Sequence, residues 1–112
     1  MSLPKFTADM SKDDRESMLV QARKARERLK AIAHETRLVI LCILSQGERS
    51  VSDLEKALAM PQATVSQQLA RLRFDGMVAA RREGRMIYYS IADDAVSTLV
   101  KTLYDLYCKP DR

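Results

Sequence analysis

Between Met60 and Gly76 the chain reads Met-Pro-Gln-Ala-Thr-Val-Ser-Gln-Gln-Leu-Ala-Arg-Leu-Arg-Phe-Asp-Gly, and no other stretch narrows the choice of fold as much. Proline fixes φ near the helical value and lacks the N–H that a first turn leaves unpaired, so Pro61 opens a helix with its first turn preset. Glycine adopts left-handed backbone at little cost, so Gly76 stops it. Between them Val65, Leu69 and Leu72 fall at i, i+4 and i+7, one narrow apolar stripe to bury. The remaining positions are small or hydrogen-bonding rather than a mixed-charge coat. Glutamine and arginine form bidentate contacts with adenine and guanine edges, and threonine meets the thymine methyl. Gln62, Thr64, Ser66, Gln67 and Arg71 are therefore candidate DNA contacts. An ordinary solvated helix fits this stretch alone equally well.

The neighbours on either side favour DNA. Upstream, Ser52 and Glu55 have the spacing of a capping box ahead of a short helix carrying Leu54, Ala57 and Leu58. Ala59, Met60 and Pro61 then turn directly into the longer helix, which makes the pair a helix-turn-helix. Downstream, the period changes to two through Met77–Arg82 and Arg85–Ile91, a β-hairpin turning at Gly84. Arg81, Arg82 and Arg85 crowd its tip, so the hairpin reads as a wing that grips phosphate or a minor groove.

The flanks supply the scaffold. Residues 1–10 lack periodicity and are expected to form a flexible arm, leaving 11–112 as the DNA-binding and dimerisation domain. Ser11 and Asp14 mark a helix start, and Met18, Ala22, Ala25, Leu29 and Ile32 recur as an amphipathic seam. Acids are interleaved with the bases on its outer side, which favours helix–helix packing over a membrane surface. A second helix begins near His34 and runs to a Gly47 cap, apolar on nearly every side after Arg37. It is the central core helix, and His34 at its start is assigned to local hydrogen bonding. The last helix, from Asp93 or Asp94 to Cys108, is expected to bury Val96, Leu99, Val100, Leu103, Leu106 and Tyr107. The fold class is mainly α with a small β-hairpin: a winged helix-turn-helix whose terminal apolar seams make a helical homodimer.

Size and composition limit the chemistry. At 112 residues the chain is one domain, short of what usually carries an enclosed active site, so no enzyme activity and no cofactor are expected. Nineteen Lys and Arg against 15 Asp and Glu is a mild excess, so the placement of charge matters more than its sum. No run is long enough to span a bilayer and no secretory signal opens the chain, which points to the cytoplasm. Two cysteines in a reducing compartment are not a permanent staple, and with a single His they are too few for a zinc site. On composition alone, Cys42 is a small core hydrophobe and Cys108 an incidental exposed thiol.

Over nearly its whole length the chain resembles the ArsR-type winged-helix repressors. The matching signals are Ala33-His34-Glu35-Thr36-Arg37-Leu38, Ser50-Val51-Ser52-Asp53-Leu54, Ser66-Gln67-Gln68-Leu69-Ala70-Arg71-Leu72 and Asp75-Gly76-Met77-Val78. Metal-sensing members carry cysteines where this chain has Ser50 and Ser52, and further ligands on the last helix that are missing here. Members also commonly have His where this chain has Gln68, a departure that bears on base contacts without changing the docking mode. The pair Cys42 and Cys108 looks like the dithiol, persulfide- and redox-sensing subgroup. That resemblance implies thiols within reach of each other in one subunit. Cys108 is expected to be the exposed attacker, since a thiol in the middle of the second helix is harder to ionise. The resemblance further implies a homodimeric repressor on double-stranded, inverted-repeat operator DNA, which lets go when a persulfide or an oxidant bridges the pair by a disulfide or polysulfide. A metal-responsive repressor of the same fold is the alternative. A thiol oxidoreductase is a more distant one, since no Cys-x-x-Cys is present.

Overall fold

The computed structural model describes residues 8–108, in the order α1 (Lys12–Ile32), α2 (Glu35–Leu44), β1 (Arg49–Ser50), α3 (Val51–Leu58), α4 (Gln62–Phe74), β2 (Val78–Glu83), β3 (Met86–Ile91) and α5 (Asp94–Tyr107). Most of the arm expected over residues 1–10 thus lies outside the described residues. Helices α3 and α4 form the helix-turn-helix and β2–β3 the wing, a winged helix-turn-helix as the sequence pattern predicts.

Gly76 does what the sequence assigns to it. Its φ is +74°, the Met77 N–H donates to the Leu72 carbonyl at 2.9 Å, and the Gly76 N–H donates to that of Arg73 at 3.0 Å. This is a Schellman motif, completed by the contact expected between its flanking apolar residues, since Leu72 and Met77 are both buried. The opening differs by one residue: Pro61 is the extended N-cap of α4 rather than its first helical residue. Val65, Leu69 and Leu72 are fully buried, and that stripe fixes the rotation of α4 about its axis.

Two corrections concern the start of the helix-turn-helix. The capping box belongs to Ser50 and Asp53, not to Ser52 and Glu55: Ser50 Oγ accepts from the Asp53 N–H at 3.1 Å, and Asp53 Oδ2 accepts from the Ser50 N–H at 3.4 Å. Both pairs fit the local pattern, and the sheet decides between them. Arg49 and Ser50 form a short strand antiparallel to β3, opposite Tyr89 and Tyr88, which holds Ser50 extended as an N-cap must be. The wing is therefore a three-stranded sheet in the order β1-β3-β2. Its hairpin turns through Gly84 and Arg85, with positive φ at Gly84 alone, the signature of a type II′ turn.

The core gathers around α2, whose Ile40, Leu41 and Leu44 meet Leu54, Leu69, Val96 and Val100. His34 is the N-cap of α2, but its side chain makes no capping hydrogen bond, contrary to the local bonding expected of it. The seam of α1 is only partly used. Ser11 Oγ caps the helix by accepting from the Asp14 N–H at 3.1 Å, yet only Ala31 and Ile32 are buried and Leu29 is 52% exposed. In α5 the N-cap Asp93 accepts from the Ala95 N–H at 2.8 Å and pairs with Arg28 at 3.0 Å. Val96 and Val100 are buried, but Leu106 and Tyr107 stand 53% and 80% exposed, against expectation. The last turn of α5 borders an open cavity instead of packed side chains.

Leu69→Ala should lower stability by about 2–5 kcal/mol, because the vacated volume is enclosed on all sides. Gly76→Ala should cost about 1–2 kcal/mol through backbone strain alone, since its Cβ would meet nothing within 4 Å. Gly76→Asn should fall between wild type and the alanine variant. Urea unfolding of the four proteins checks this order.

Candidate DNA interface and dithiol cavity

With its apolar stripe locked inward, α4 turns Ala63, Gln67, Ala70 and Phe74 to solvent at 4,3,4 spacing. Gln67, Gln62 and Ser66 are exposed and Thr64 is half-buried on the flank. Arg71 is exposed, donates from Nε to Asp75 at 3.3 Å, and sits 5.8 Å from the Phe74 ring centre. Phe74 itself is 83% exposed. Its place on the solvent stripe was readable from the helical period, although sequence reasoning passed over it. Gln68 has a different job from its neighbours: its Oε1 accepts from Arg37 Nε at 2.9 Å, which ties α4 to α2. Neither member of that pair was singled out for this role, because its 31-residue separation leaves no local signal.

The wing separates its arginines. Arg82 and Arg85 are exposed and make no ion pair among the described residues. Arg85 lines a groove of about 260 Å³ together with Ser52 and Gln62, so the wing tip and the start of α4 share one surface. Arg81 does not join them. Its Nε and Nη2 donate to the two carboxylate oxygens of Glu48 at 2.8 and 2.7 Å, and Nη1 donates to Glu83 at 2.8 Å. Its guanidinium also stacks 4.7 Å from the Tyr88 ring centre. In this structure the planar Arg81 fork is satisfied by two carboxylates and an aromatic face, so it acts here as an anchor between the wing and Glu48. Hydrogen bonding to Glu48 raises the Arg81 pKa further, and hydrogen bonding to Arg81 lowers that of Glu48.

Cys42 and Cys108 meet at a second site. Both line an apolar cavity of about 390 Å³ between α2 and α5, walled by Leu38, Val39, Ile43, Leu103 and Tyr104. Both are free thiols, Cys42 partly buried and Cys108 exposed at the C-cap of α5. Burial, and secondarily the neighbouring Cys108, push the Cys42 thiol up from its ordinary value. Among the described residues no three His, Cys, Asp or Glu side chains come together as a metal site.

The family model for the bacterial regulatory protein, arsR family, matches residues 34–80. A biofilm growth-associated repressor of Agrobacterium fabrum is 46% identical over 83 residues, which cover 74% of this chain and 71% of that protein. The chain belongs to the ArsR family. Another relative, the transcriptional activator HlyU of Vibrio cholerae, is 40% identical over 84 residues, covering 75% and 78% of the two chains. The structure of reduced HlyU from that organism superposes with a TM-score of 0.81 at 39% identity, covering 84% of this chain and 99% of that one. The homodimeric winged helix-turn-helix domain of Mb0332 from Mycobacterium bovis matches with a TM-score of 0.68 at 36% identity, covering 89% of each chain. These relatives are regulators of transcription, not enzymes.

The Arg81–Glu48 anchor makes wing stability dependent on pH. The folded Glu48 pKa lies below the unfolded one, so the pair stabilises the protein fully above the unfolded carboxylate pKa, about 4.3, and loses that contribution as pH falls through the folded value. The difference in melting temperature between wild type and Glu48→Gln should be constant near neutral pH and shrink on acidification. A constant difference across the carboxylate range would exclude the anchor.

Proposed function

We propose that this ArsR-family chain is a homodimeric transcriptional repressor that binds an inverted-repeat operator while its thiols are free and leaves it when Cys42 and Cys108 become bridged. The observation that carries this reading is that one helix, α2, contributes Cys42 to the dithiol cavity and Arg37 to the hydrogen bond with Gln68 of α4. A change in how α2 sits against α5 is felt by the helix that meets DNA.

The chemistry follows from the two environments. Cys108, exposed, attacks the outer sulfur of a persulfide RSSH and releases RSH, leaving Cys108 as a persulfide. Cys42 then attacks the Cys108 sulfur and expels H2S, so two thiols and RSSH give a disulfide, RSH and H2S. Retention of further sulfur gives a polysulfide bridge, and an oxidant such as peroxide reaches the disulfide through a sulfenic acid. Free thiols persist in a reducing compartment, which fits the cytoplasm. No helix among the described residues is long and apolar enough to cross a membrane.

On DNA, Gln67 and Thr64 are assigned base contacts, with Gln62 and Ser66 beside them. Arg71, Arg82 and Arg85 are assigned phosphates or the minor groove. A two-fold partner supplies the second half-site about one helical turn away. The uncovered apolar side of α1 supports this assembly: Ala25 and Leu29 of α1 line a groove with Ala95 and Leu99 of α5, and Leu19 and Val20 are exposed nearby. Leu29→Glu should therefore shift sedimentation from dimer to monomer at micromolar concentration.

Gln67→Ala should cost about 1–3 kcal/mol at particular base pairs only, and Arg82→Ala should weaken binding to every sequence and flatten its salt dependence. Equal losses on operator and random DNA after Gln67→Ala would remove the recognition role. Cys42→Ser and Cys108→Ser should each retain operator affinity under reductant and no longer release DNA on treatment with a persulfide donor. Release of Cys42→Ser as readily as wild type would remove the intrachain bridge from the mechanism.

A further inference from the structure

The cavity beside the thiols is larger than a bond between two sulfur atoms requires. Its volume of about 390 Å³ lies within the roughly 300–1,000 Å³ of small-molecule sites. Its lining also differs from that of the charged clefts. Charged residues make up 30% of the chain, and a neighbouring cleft of about 230 Å³ is lined by Glu27, Arg28, Lys30, Arg37, Arg71 and Asp75. Among the described residues no charged side chain lines the dithiol cavity, and Gln46 is the one amide there. A carboxylate or ammonium drawn in there gives up hydration without gaining a partner. An apolar molecule gains contact with Leu38, Ile43, Leu103 and Tyr104.

We infer that the cavity between α2 and α5 is a binding site for uncharged diorganyl polysulfanes, R–S–S–S–R with apolar R, and that the dithiol reads sulfur delivered in this form. The inference rests on the dithiol reading proposed above and names its donor. The carrier groups occupy the apolar walls and hold the sulfur chain against the thiols. The Cys108 thiolate attacks the central sulfur and displaces one RS⁻, which takes up the proton Cys108 has lost. The Cys42 thiolate attacks the same transferred sulfur, displaces the second RS⁻, and that thiolate is protonated in turn. Two protein thiols and one trisulfide become one protein trisulfide bridge and two RSH. Each cysteine sulfur loses one electron, and the donor gains two. A peptide carrier such as glutathione presents the same sulfur chain on carboxylates and ammonium groups, and the walls exclude it.

The test compares dipropyl trisulfide with glutathione trisulfide on the full-length reduced protein. Free thiols are followed in time, and each rate is divided by that of an uncharged free thiol, N-acetylcysteine methyl ester, with the same donor. After this normalisation dipropyl trisulfide should be favoured by about tenfold or more, the scale on which a pocket discriminates. Intact mass should show one sulfur gained and two hydrogens lost. Val39 lines the cavity yet is 46% exposed, so Val39→Lys should fold as wild type by circular dichroism while placing a cation at the mouth. It should slow dipropyl trisulfide and speed glutathione trisulfide. Thr98→Lys, exposed on α5 outside the cavity, should alter neither ratio. Bridging by both donors at equal normalised rates would overturn the donor assignment and leave the dithiol reading intact. Failure of both to consume two thiols per chain would overturn the two together. A rise in thiol reactivity when sedimentation shows the dimer diluted to monomer would mean that a second copy covers the cavity, and the ligand assignment would fall.

Discussion

Burial of α2 is the constraint on which the rest of the structure depends. Ile40 and Leu41 are wholly enclosed and Leu44 nearly so, and their neighbours come from α3, α4 and α5. A ten-residue helix is a rod of about 15 Å, stiff over its length because every internal carbonyl is hydrogen-bonded along the axis. Cys42 near one end and Arg37 near the other are therefore not independent. In the proposed switch, a change in the lie of α2 against α5 would reach Gln68 on α4 through the Arg37 hydrogen bond. Since interiors are close-packed, α4 cannot absorb such a shift by deforming its Val65, Leu69 and Leu72 stripe, so it moves with the core.

The energies involved are of matching size. Allosteric coupling between two sites is typically about 1–3 kcal/mol. Bridging Cys42 to Cys108 closes a loop of 108 − 42 = 66 positions, and the chain-entropy model gives such a cross-link roughly 4 kcal/mol of constraint. Under the proposed dithiol switch, a modest misfit between the bridged arrangement and the one that fits DNA would be enough to change binding. The design needs no large motion and no added domain, which suits a chain of 112 residues.

What was legible in the sequence is what local physics determines. The Schellman end of α4 was readable because Leu72, Gly76 and Met77 lie within six consecutive residues. The buried faces of α2 and α4 were readable because a helix repeats every 3.6 residues. The strand at Arg49–Ser50 was not, since two residues have no period, and with it went the choice between Ser50 and Ser52 as the cap. The pairing of Arg81 with Glu48 was not legible for a related reason. Arg81 and Arg82 look alike in sequence, but successive strand residues face opposite sides, and Glu48, the partner that captures Arg81, lies 33 positions away. The seams of α1 and the end of α5 have the right period, with nothing among the described residues to cover Leu29 or Leu106. The approach of Cys42 to Cys108 came only through resemblance, because no spacing rule joins a core helix to a C-terminal one.

The wing shows how one short hairpin divides its charge between holding and reaching. Arg81 faces Glu48 and stacks on Tyr88, so it joins the hairpin to the segment that connects α2 with β1. Arg82, on the opposite side of the same strand, and Arg85 in the turn keep their charge for solvent or for a polyanion. An unanchored two-stranded ribbon is marginally stable in water, and the ordering cost of bringing it onto DNA would be subtracted from every phosphate contact it made. Anchoring by Arg81 and pairing of β3 with β1 meet that cost in the folded protein instead. Glu48 lies in the connection between α2 and β1, four residues beyond Leu44, so the anchor ties the wing to the segment that follows α2. In the proposed switch, a displacement of α2 would therefore reach both parts of the proposed DNA-facing surface, and two contacts that must be made together weaken more steeply than either would alone.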